Sequence, residues 1–301
     1  MERVIRNFAL GSEWLFYKIY VGPKTGDALL TQAVKPLVYK LVSDSLVEKW
    51  FFIRYTDPNF HIRLRLRLMN KEYLGKVIDE MYKCLQPWIK NEFVWNIQLD
   101  TYQRELERYG YNSINISESI FYYDSVTIVN FLDLIEGDEG EELRWLFGLR
   151  YIDSLLDSFD LKLEKKKELM EELKTAFGKE FGMVRFLKKQ LDDKYRNEIK
   201  KIRHFMVFTK NSDPMYGPIL EILQDRKELI SPFVNELLEL KERGGLKVGF
   251  NNLISSYIHM SMNRLFKSKN RLNEMVLYDF LYRYYRSLSA ISEKKSNKIE
   301  T

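Results

Sequence analysis

Cysteine and histidine are scarce in this sequence, which has one of the first and three of the second among 301 residues. A single cysteine excludes a disulfide within the chain and is typical of a reducing compartment. The sequence also lacks a glycine-rich phosphate loop, a GxSxG elbow, a CxxC pair and a metal-ligand cluster. These absences argue against common metal, nucleotide and thiol chemistries, and Cys84, within the apolar pattern MYKCLQPW, is interpreted as structural.

Long hydrophobic runs and a strong excess of charge are missing too. No stretch approaches the roughly 20 apolar residues that span a bilayer, and residues 1–11 lack the apolar core of a signal peptide. The formal net charge is only +5, with 48 basic and 43 acidic residues, whereas nucleic-acid-binding proteins usually carry a concentrated basic face. We therefore expect a soluble cytoplasmic protein with no direct nucleic-acid or membrane partner.

Apolar residues make up 45% of the chain, and their spacing predicts the fold of its first hundred residues. Alternation and β-branched or aromatic content predict strands, and apolar positions at i, i+3 and i+4 predict helices. The predicted strands are 14–21, 50–55, 61–68 and 93–102, with helices at 29–42 and 74–85. Pro36 is expected to kink or shorten the first helix, and Pro87 to end the second. The order βαββαβ predicts a ferredoxin-like antiparallel sheet.

The pattern turns helical from about Ser117 onward. Helices are expected near 117–134, 141–158, 160–191, 194–204, 217–241, 251–268 and 271–291. Neither an internal repeat nor a Pro/Ser-rich linker separates them from the sheet. The sequence thus predicts one compact α+β domain over 1–301, with a sheet-containing half at 12–110, a helical half at 111–291 packed on it, and a flexible tail at 292–301.

Arginine alternates with apolar residues in WFFIRYTDPNFHIRLRLRL (50–68). Arg63, Arg65 and Arg67 occupy every second position, and successive side chains of a strand point to opposite faces. The three guanidinium groups should therefore share one face of the sheet, and we expect Arg54 on that same face. Such a face either contacts water or binds an anion.

Two further arginines, Arg104 and Arg108, lie in TYQRELERYG (101–110), directly after the fourth predicted strand. Arginines from two elements are suited to converge on one carboxylate, because the planar guanidinium makes paired hydrogen bonds with it. The sequence therefore favours an anion-binding cluster on the sheet.

A polar stripe interrupts the late segment NNLISSYIHMSMNRLF (251–266). On a helix, Ser255, His259 and Asn263 lie one turn apart on the same side. A lone histidine beside an apolar stripe is commonly structural, whereas polar neighbours four residues away are able to fix its tautomer for proton transfer near neutral pH. His259 is the candidate proton-transfer group under the second interpretation.

Taken together, these motifs resemble the C-terminal domain of class I lantibiotic dehydratases, also known as the thiopeptide-type bacteriocin biosynthesis domain. The similar stretches follow the family's order and approximate spacing over nearly the whole chain. They are WLFYKIYVG, WFFIRYTDPNFHIRLRL, YQRELERYG, SESIFYYDS and HMSMNRLF. One departure is Tyr111, where the family often has a second glycine, and this bulky residue is expected to reshape the pocket beside Arg108.

The resemblance implies a lyase. In full-length dehydratases an N-terminal domain uses glutamyl-tRNA to esterify Ser or Thr of a precursor peptide, and the C-terminal domain removes the glutamate to leave dehydroalanine or dehydrobutyrine. This chain lacks the glutamylating part. It is therefore expected to be a stand-alone elimination subunit that acts on a ribosomally synthesised precursor peptide, with a separate glutamylating subunit as partner and no metal or organic cofactor.

The resemblance also assigns roles to residues. The family's elimination residues fall on Arg63 or Arg65, on Arg104 or Arg108, and on His259. The remaining polar candidates are expected to bind substrate, and they are Arg54, Arg67, Ser255 and Asn263.

Two other functions stay open. The same fold serves the thiopeptide enzyme that closes a six-membered nitrogen ring from two dehydroalanines and expels the leader peptide. A non-catalytic partner that binds the precursor peptide by β-augmentation is the third possibility. The alternating arginines favour elimination over ring closure, because a cycloaddition has no acidic leaving group to bind.

Overall fold

The computed structural model describes residues 4–135, 137–182 and 185–299, which combine α-helices with antiparallel β-sheets. The predicted mixed α+β class is confirmed. Clustering of the chain gives two compact units, one made of residues up to 135 together with 228–268, and the other of 136–227 together with the residues from 269 onward. Every candidate site residue belongs to the first unit. The single domain expected from the sequence stays a prediction.

Among the described residues, six strands form two sheets. They are β1 (Asn7–Phe8), β2 (Trp14–Val21), β3 (Val47–Thr56), β4 (Phe60–Leu68), β5 (Val94–Asp100) and β6 (Tyr102–Gln103). The four long strands make an antiparallel sheet in the order β3-β4-β2-β5, and β1 pairs with β6. Each long strand lies where alternation predicted one. The observed order supports the ferredoxin-like assignment, which stays a prediction.

Each of the two helices between these strands contains a proline, and only Pro87 of the second differs from expectation. The first consists of α1 (Thr25–Leu29) and α2 (Lys35–Ser43), joined by a π-helical stretch at Leu30–Val34. The wider turn ends just before Pro36, so the helix changes pitch where proline cannot donate a hydrogen bond. The second helix, α3 (Leu74–Lys90), continues past Pro87. The prediction that Pro87 ends it was wrong, because a proline in the last turn removes only one hydrogen bond.

Eight more helices complete the described chain. They are α4 (Leu106–Tyr109), α5 (Ile114–Leu134), α6 (Gly137–Ser158), α7 (Leu163–Glu180), α8 (Arg185–Val207), α9 (Gly217–Glu242), α10 (Phe250–Leu265) and α11 (Asn270–Ile299). The predicted division into 160–191 and 194–204 was wrong, because α7 stops near Gly182, which has a φ of +58°, and α8 runs through 192–194. Residues 183 and 184 of the predicted helix lie outside the described residues.

The C-terminal helix covers most of the segment expected to be a flexible tail. α11 extends to Ile299, whereas residues 300 and 301 lie outside the described residues. Among the helices that the structure describes, none is both long enough and apolar enough to cross a membrane.

Aromatic rings join the sheet to α5. The Phe51 ring on β3 lies 5.5 Å from Trp14 on β2 and 5.4 Å from Phe121 on α5, both edge-on, and 5.9 Å from Tyr102. Such pairs contribute about 0.5–1.5 kcal/mol each beyond the area they bury. This cluster lies on the same side of the sheet as the alternating arginines, so it fixes the floor of the candidate site.

Position 110, in the ERYG motif, requires glycine because of its backbone conformation. Its φ is +77°, and a Cβ built on it would lie 2.7 Å from the Ser113 hydroxyl, which donates to the Tyr109 carbonyl. Gly110→Ala is therefore expected to lower the free energy of unfolding by roughly 1–3 kcal/mol, measured by urea denaturation. Gly244→Ala is the matched control, because its φ is +63° with open space around it. Equal losses in the two variants would refute a contribution from the Ser113 contact.

Candidate active site

The arginine face is defined here as the side of the sheet that carries Arg63, Arg65 and Arg67 of β4. Strand pairing places Phe16 of β2 and Phe51 of β3 directly beside Arg65. The opposite side of β4 carries Ile62, Leu64, Leu66 and Leu68, all almost completely buried. The alternation expected from the sequence is therefore present, and the arginine face is a half-buried surface rather than a fully wet one.

Arg65 is a buried cation with no carboxylate partner. Its side chain is 8% exposed, and its guanidinium carbon lies 4.5 Å, 5.0 Å and 5.3 Å from the rings of Phe16, Tyr102 and Phe51. Its Nε is buried without a hydrogen bond, and the side chain forms no ion pair with the part of the chain that the structure describes. Burial lowers the pKa of Arg65 to about 10. The ring faces stabilise the charge by cation–π attraction, which does not neutralise it.

Arg63 is held by two neutral groups. Its Nε donates to Nε2 of His61 at 3.1 Å, and its guanidinium carbon lies 3.4 Å from the centre of the Tyr55 ring. No ion pair is formed by this side chain within the described residues. Its terminal nitrogens therefore keep their full hydrogen-bonding capacity and charge.

The other cations of this face are compensated. Arg67 pairs with Glu48 at 3.2 Å, and Lys18 forms an ion pair with Asp100. Arg63 and Arg65 are then the two cations of the face that form no ion pair with a described carboxylate, and Glu105 and Asp100 act on their charges from beyond ion-pair distance. Because burial of an unpaired charge is costly, this pair is the strongest electrostatic sign of an anion site.

Arg104 is committed to the fold. Its guanidinium is bidentate to the fully buried Glu118, with Nε to Oε1 at 2.7 Å and the terminal nitrogen to Oε2 at 2.6 Å. The same carboxylate accepts a hydrogen bond from Tyr102, and Arg104 also donates to Asn115. A guanidinium with this many buried partners orients α5 against β6, which is a structural role.

Arg108 has a different environment. Its side chain is 42% exposed and pairs at 3.2 Å with Glu105, the residue that precedes the short helix α4. Exposed pairs of this kind are worth little and exchange readily, so Arg108 remains able to bind an anion. The two arginines therefore differ in environment, since Arg104 is buried in a bidentate ion pair and Arg108 is partly exposed; the catalytic assignment of either one stays a prediction.

His259 lies on α10, which packs against α4, α5 and β3. Two residues earlier, the Tyr257 ring stacks on Tyr109 of α4 at 6.0 Å, next to Arg108. His259 itself is half-buried. One turn earlier, the Ser255 hydroxyl donates to the carbonyl of Asn251 in its own helix, and this bond limits Ser255 as a substrate ligand.

The side chain of Asn263 binds the backbone of β3, the edge strand of the sheet. Its side-chain amide accepts from the Arg54 amide at 2.9 Å and donates to the Arg54 carbonyl at 2.8 Å, as a neighbouring strand would. Ser125 accepts from the Phe52 amide, and Arg264 donates to the Phe52 carbonyl. Both polar atoms of the Asn263 side chain thus bind backbone, and its expected role in substrate binding stays a prediction.

Arg54 is not on the arginine face. It pairs in register with Ile62, on the opposite side of the sheet, and its side chain is 2% exposed. Its guanidinium donates to Asp27 of α1 at 2.6 Å and to the carbonyl of Arg264 at 2.8 Å. The predicted placement was wrong, because the pairing of β3 with β4 puts even-numbered β3 residues opposite the leucines.

Cys84 behaves as its sequence context indicated. Its thiol donates to the carbonyl of Ala33 at 3.4 Å, and burial raises the thiol pKa to about 11. A thiol with that pKa is a poor nucleophile at neutral pH. Among the described residues, no group of three or more His, Cys, Asp or Glu side chains is placed to hold a metal ion.

Sequence reasoning missed the residues that support the arginines. Phe16, Tyr55 and Tyr102 line Arg63 or Arg65, yet they come from three strands and form no motif. His61, which lies near the start of β4, also contacts Arg63. The one available signal was cross-strand register, since Phe16 and Tyr55 face the arginine face once the pairing of β2, β3 and β4 is known.

Comparison with known protein families gives one match over most of the chain. A sequence model described as lantibiotic biosynthesis dehydratase C-term matches residues 14–285. Among curated proteins, the subtilin biosynthesis protein SpaB of Bacillus subtilis is 25% identical over 275 residues, and the nisin biosynthesis protein NisB of Lactococcus lactis subsp. lactis is 26% identical over 272. These alignments cover 88% and 89% of this chain but only 25% of each relative. The chain therefore spans about a quarter of their length.

Solved structures share the fold. The tRNA-dependent lantibiotic dehydratase MibB from Microbispora sp. 107891 aligns with a TM-score of 0.71 and 19% identity over 91% of this chain and 28% of its own. The pyridine synthase TbtD from thiomuracin biosynthesis aligns with a TM-score of 0.69 and 11% identity over 93% of this chain and all of its own. At these identities the similarity describes the fold alone.

Proposed function

The chain belongs to the lantibiotic biosynthesis dehydratase C-terminal family, and from that membership we propose that it removes glutamate from glutamylated Ser or Thr of a ribosomally synthesised precursor peptide. The products are dehydroalanine or dehydrobutyrine and free glutamate. A separate subunit supplies the glutamylated peptide, and both act in the cytoplasm as parts of a split dehydratase. The reaction is a β-elimination and makes this chain a lyase.

One observation carries the proposal: Arg63 and Arg65 are two neighbouring cations that form no ion pair with any described carboxylate. The departing group of the proposed reaction is a glutamate, whose ester oxygen gains negative charge as the Cβ–O bond breaks. Preorganised donors that meet developing charge in a water-poor site lower a barrier by about 2.7–4 kcal/mol each. Arg65, caged by aromatic rings, and Arg63, oriented by His61 and Tyr55, are suited to this task.

The remaining steps use residues near α10. A base must take the Cα proton, and the electron pair of that bond then forms the double bond as the glutamate carboxylate departs. His259 is the proposed base, because histidine is the side chain that most often transfers protons in enzymes. Arg108, exposed on α4, is proposed to bind the glutamyl carboxylate.

Ring closure is the second candidate. It is favoured by the alignment with the pyridine synthase TbtD, which covers the whole length of that protein. A cycloaddition releases no acidic group, however, so it gives no use to the unpaired charges of Arg63 and Arg65.

A non-catalytic peptide-binding role is constrained by the edges of the sheet. The β3 edge is occupied by side chains of Ser125, Asn263 and Arg264. An added peptide strand would therefore have to pair with β5, the opposite edge strand.

Intact-mass analysis separates the three functions. A glutamylated precursor peptide is incubated with the purified chain, without the glutamylating subunit. Elimination removes the mass of one glutamic acid per site. Release of the leader peptide from a precursor that already carries dehydroalanines would instead support ring closure, and binding without any mass change would support the third role.

His259→Ala is expected to let the glutamylated peptide accumulate, with elimination slowed at least a hundredfold, because general-base catalysis contributes about 10²–10⁴-fold. Turnover is followed by mass spectrometry at saturating peptide. Ser256→Ala is the matched control on the same helix, because its hydroxyl donates only to the Asn252 carbonyl. Normal elimination by His259→Ala would remove His259 from the mechanism.

A further inference from the structure

His61 is the first residue of the arginine face on β4 and is completely buried. Its ring lies between Tyr20 of β2 and Tyr55 of β3, with ring centres 4.7 Å and 5.8 Å away. The Tyr55 ring in turn stacks on the guanidinium of Arg63. The imidazole and the guanidinium are thus packed in one layer, on neighbouring positions of the same face.

The hydrogen bonds of His61 define its tautomer. Nδ1 lies 2.9 Å from the Asn59 carbonyl oxygen, which only accepts, so Nδ1 carries a hydrogen. Nε2 lies 3.1 Å from Nε of Arg63, which only donates, so Nε2 is the bare nitrogen. Both contacts can exist together only when the imidazole is neutral.

The charged surroundings of His61 favour the same state. Burial lowers its pKa from the ordinary value, and the nearby cations Arg63 and Lys18 act in the same direction. The Asn59 carbonyl and Asp57 oppose the shift without reversing it. The two groups that flank the imidazole on β2 and β3 are the aromatic rings of Tyr20 and Tyr55.

We propose that His61 is a positioning residue, whose neutral imidazole holds the Arg63 guanidinium through Nε so that both terminal nitrogens are presented to a substrate carboxylate. A neutral acceptor fixes the direction of the guanidinium while leaving its charge intact. In Arg104, by contrast, the acceptor is the carboxylate of Glu118, which neutralises the charge of the guanidinium within the fold. This inference rests on the proposed function, in which Arg63 binds the glutamyl group.

Two substitutions at His61 test the proposal by kinetics. His61→Phe keeps a ring between the tyrosines but has no acceptor, and it is expected to reduce kcat for elimination roughly ten- to a hundredfold with a smaller change in KM. His61→Gln keeps an acceptor at the position of Nε2 and is expected to recover most of that loss. A structural role alone predicts the reverse order, because phenylalanine preserves the packing better than glutamine.

A second measurement follows the contact without any turnover. In protein labelled with ¹⁵N-arginine, the Nε–H resonance of Arg63, assigned with Arg63→Lys, is expected to be protected from exchange in the wild type and in His61→Gln, and to lose protection in His61→Phe. As the pH falls through the lowered pKa of His61, the imidazole takes up a proton, and protection is expected to fall in the wild type but persist in His61→Gln. The Nε–H of Arg104 serves as the internal control for folding.

The outcomes distinguish this inference from the function beneath it. An Arg63 resonance that is equally protected in His61→Phe overturns the positioning role. A resonance that responds as expected, with normal elimination by both His61→Phe and Arg63→Ala, leaves the contact in place and refutes the proposed use of Arg63. If Arg63→Ala loses elimination and His61→Phe does not, the positioning role of His61 is refuted and the proposed use of Arg63 stands.

Discussion

Arg65→Met is expected to slow elimination by roughly 10²–10³-fold while leaving the protein at least as stable as the wild type. The kinetic loss follows from removing one preorganised donor of developing negative charge, which is worth about 2.7–4 kcal/mol in a barrier. The stability follows from the charge itself. The burial that lowers the pKa of Arg65 to about 10 corresponds to an unfavourable free energy of about 3 kcal/mol for keeping the cation among its aromatic rings. Methionine fills the same cage without that cost.

Arg67→Met is the matched control for this variant, because Arg67 lies on the same strand and face but already pairs with Glu48. It is expected to affect turnover far less. Elimination is measured by mass spectrometry, and the free energy of unfolding by urea denaturation. An Arg65→Met protein that is several kcal/mol less stable yet turns over normally would identify Arg65 as a structural residue.

Arg104→Met is expected to show the opposite result, a loss of about 3–5 kcal/mol in the free energy of unfolding. This substitution leaves the fully buried carboxylate of Glu118 without its bidentate partner, and breaking a buried pair from one side costs that much. The double variant Arg104→Met with Glu118→Leu is expected to recover a large part of the loss, since it removes both charges together.

Arg108→Met supplies the comparison within the same motif. Its exposed pair with Glu105 contributes little to stability, so unfolding is expected to change by no more than about 0.5 kcal/mol while elimination falls. If Arg104→Met unfolds at the wild-type denaturant concentration and Arg108→Met eliminates normally, the assignment of the two arginines is reversed.

Much of the fold was predictable because its signals are local. Period-two alternation located the long strands, and helical periodicity located most helices. The failures were also local in origin. The wrong predictions concern the end of α3 near Pro87 and the break between α7 and α8 near Gly182. Both depend on where a helix tolerates the loss of one or two hydrogen bonds, and composition does not reveal that.

The candidate site was only partly predictable, because its deciding features are contacts between distant segments. Alternation correctly grouped Arg63 with Arg65, yet it could not show that Asp27 binds Arg54 or that Glu118 binds Arg104. Asp27 and Glu118 lie in the helices α1 and α5. Nothing in the sequence indicates that these helices contact the two arginines. Which arginines stay unpaired follows from the placement of acids, and a single sequence does not contain that information.

The side chains that cover the β3 edge also limit how this protein can self-associate. All four outward backbone groups of Phe52 and Arg54 are occupied by Ser125, Asn263 and Arg264, so a foreign strand finds no unsatisfied donors or acceptors there. In the four-stranded sheet, β5 is the other edge strand. Two copies joined through β5 would each present outward the part of β3 where Phe52 and Arg54 are already bonded, which opposes growth of a continuous intermolecular sheet beyond the pair.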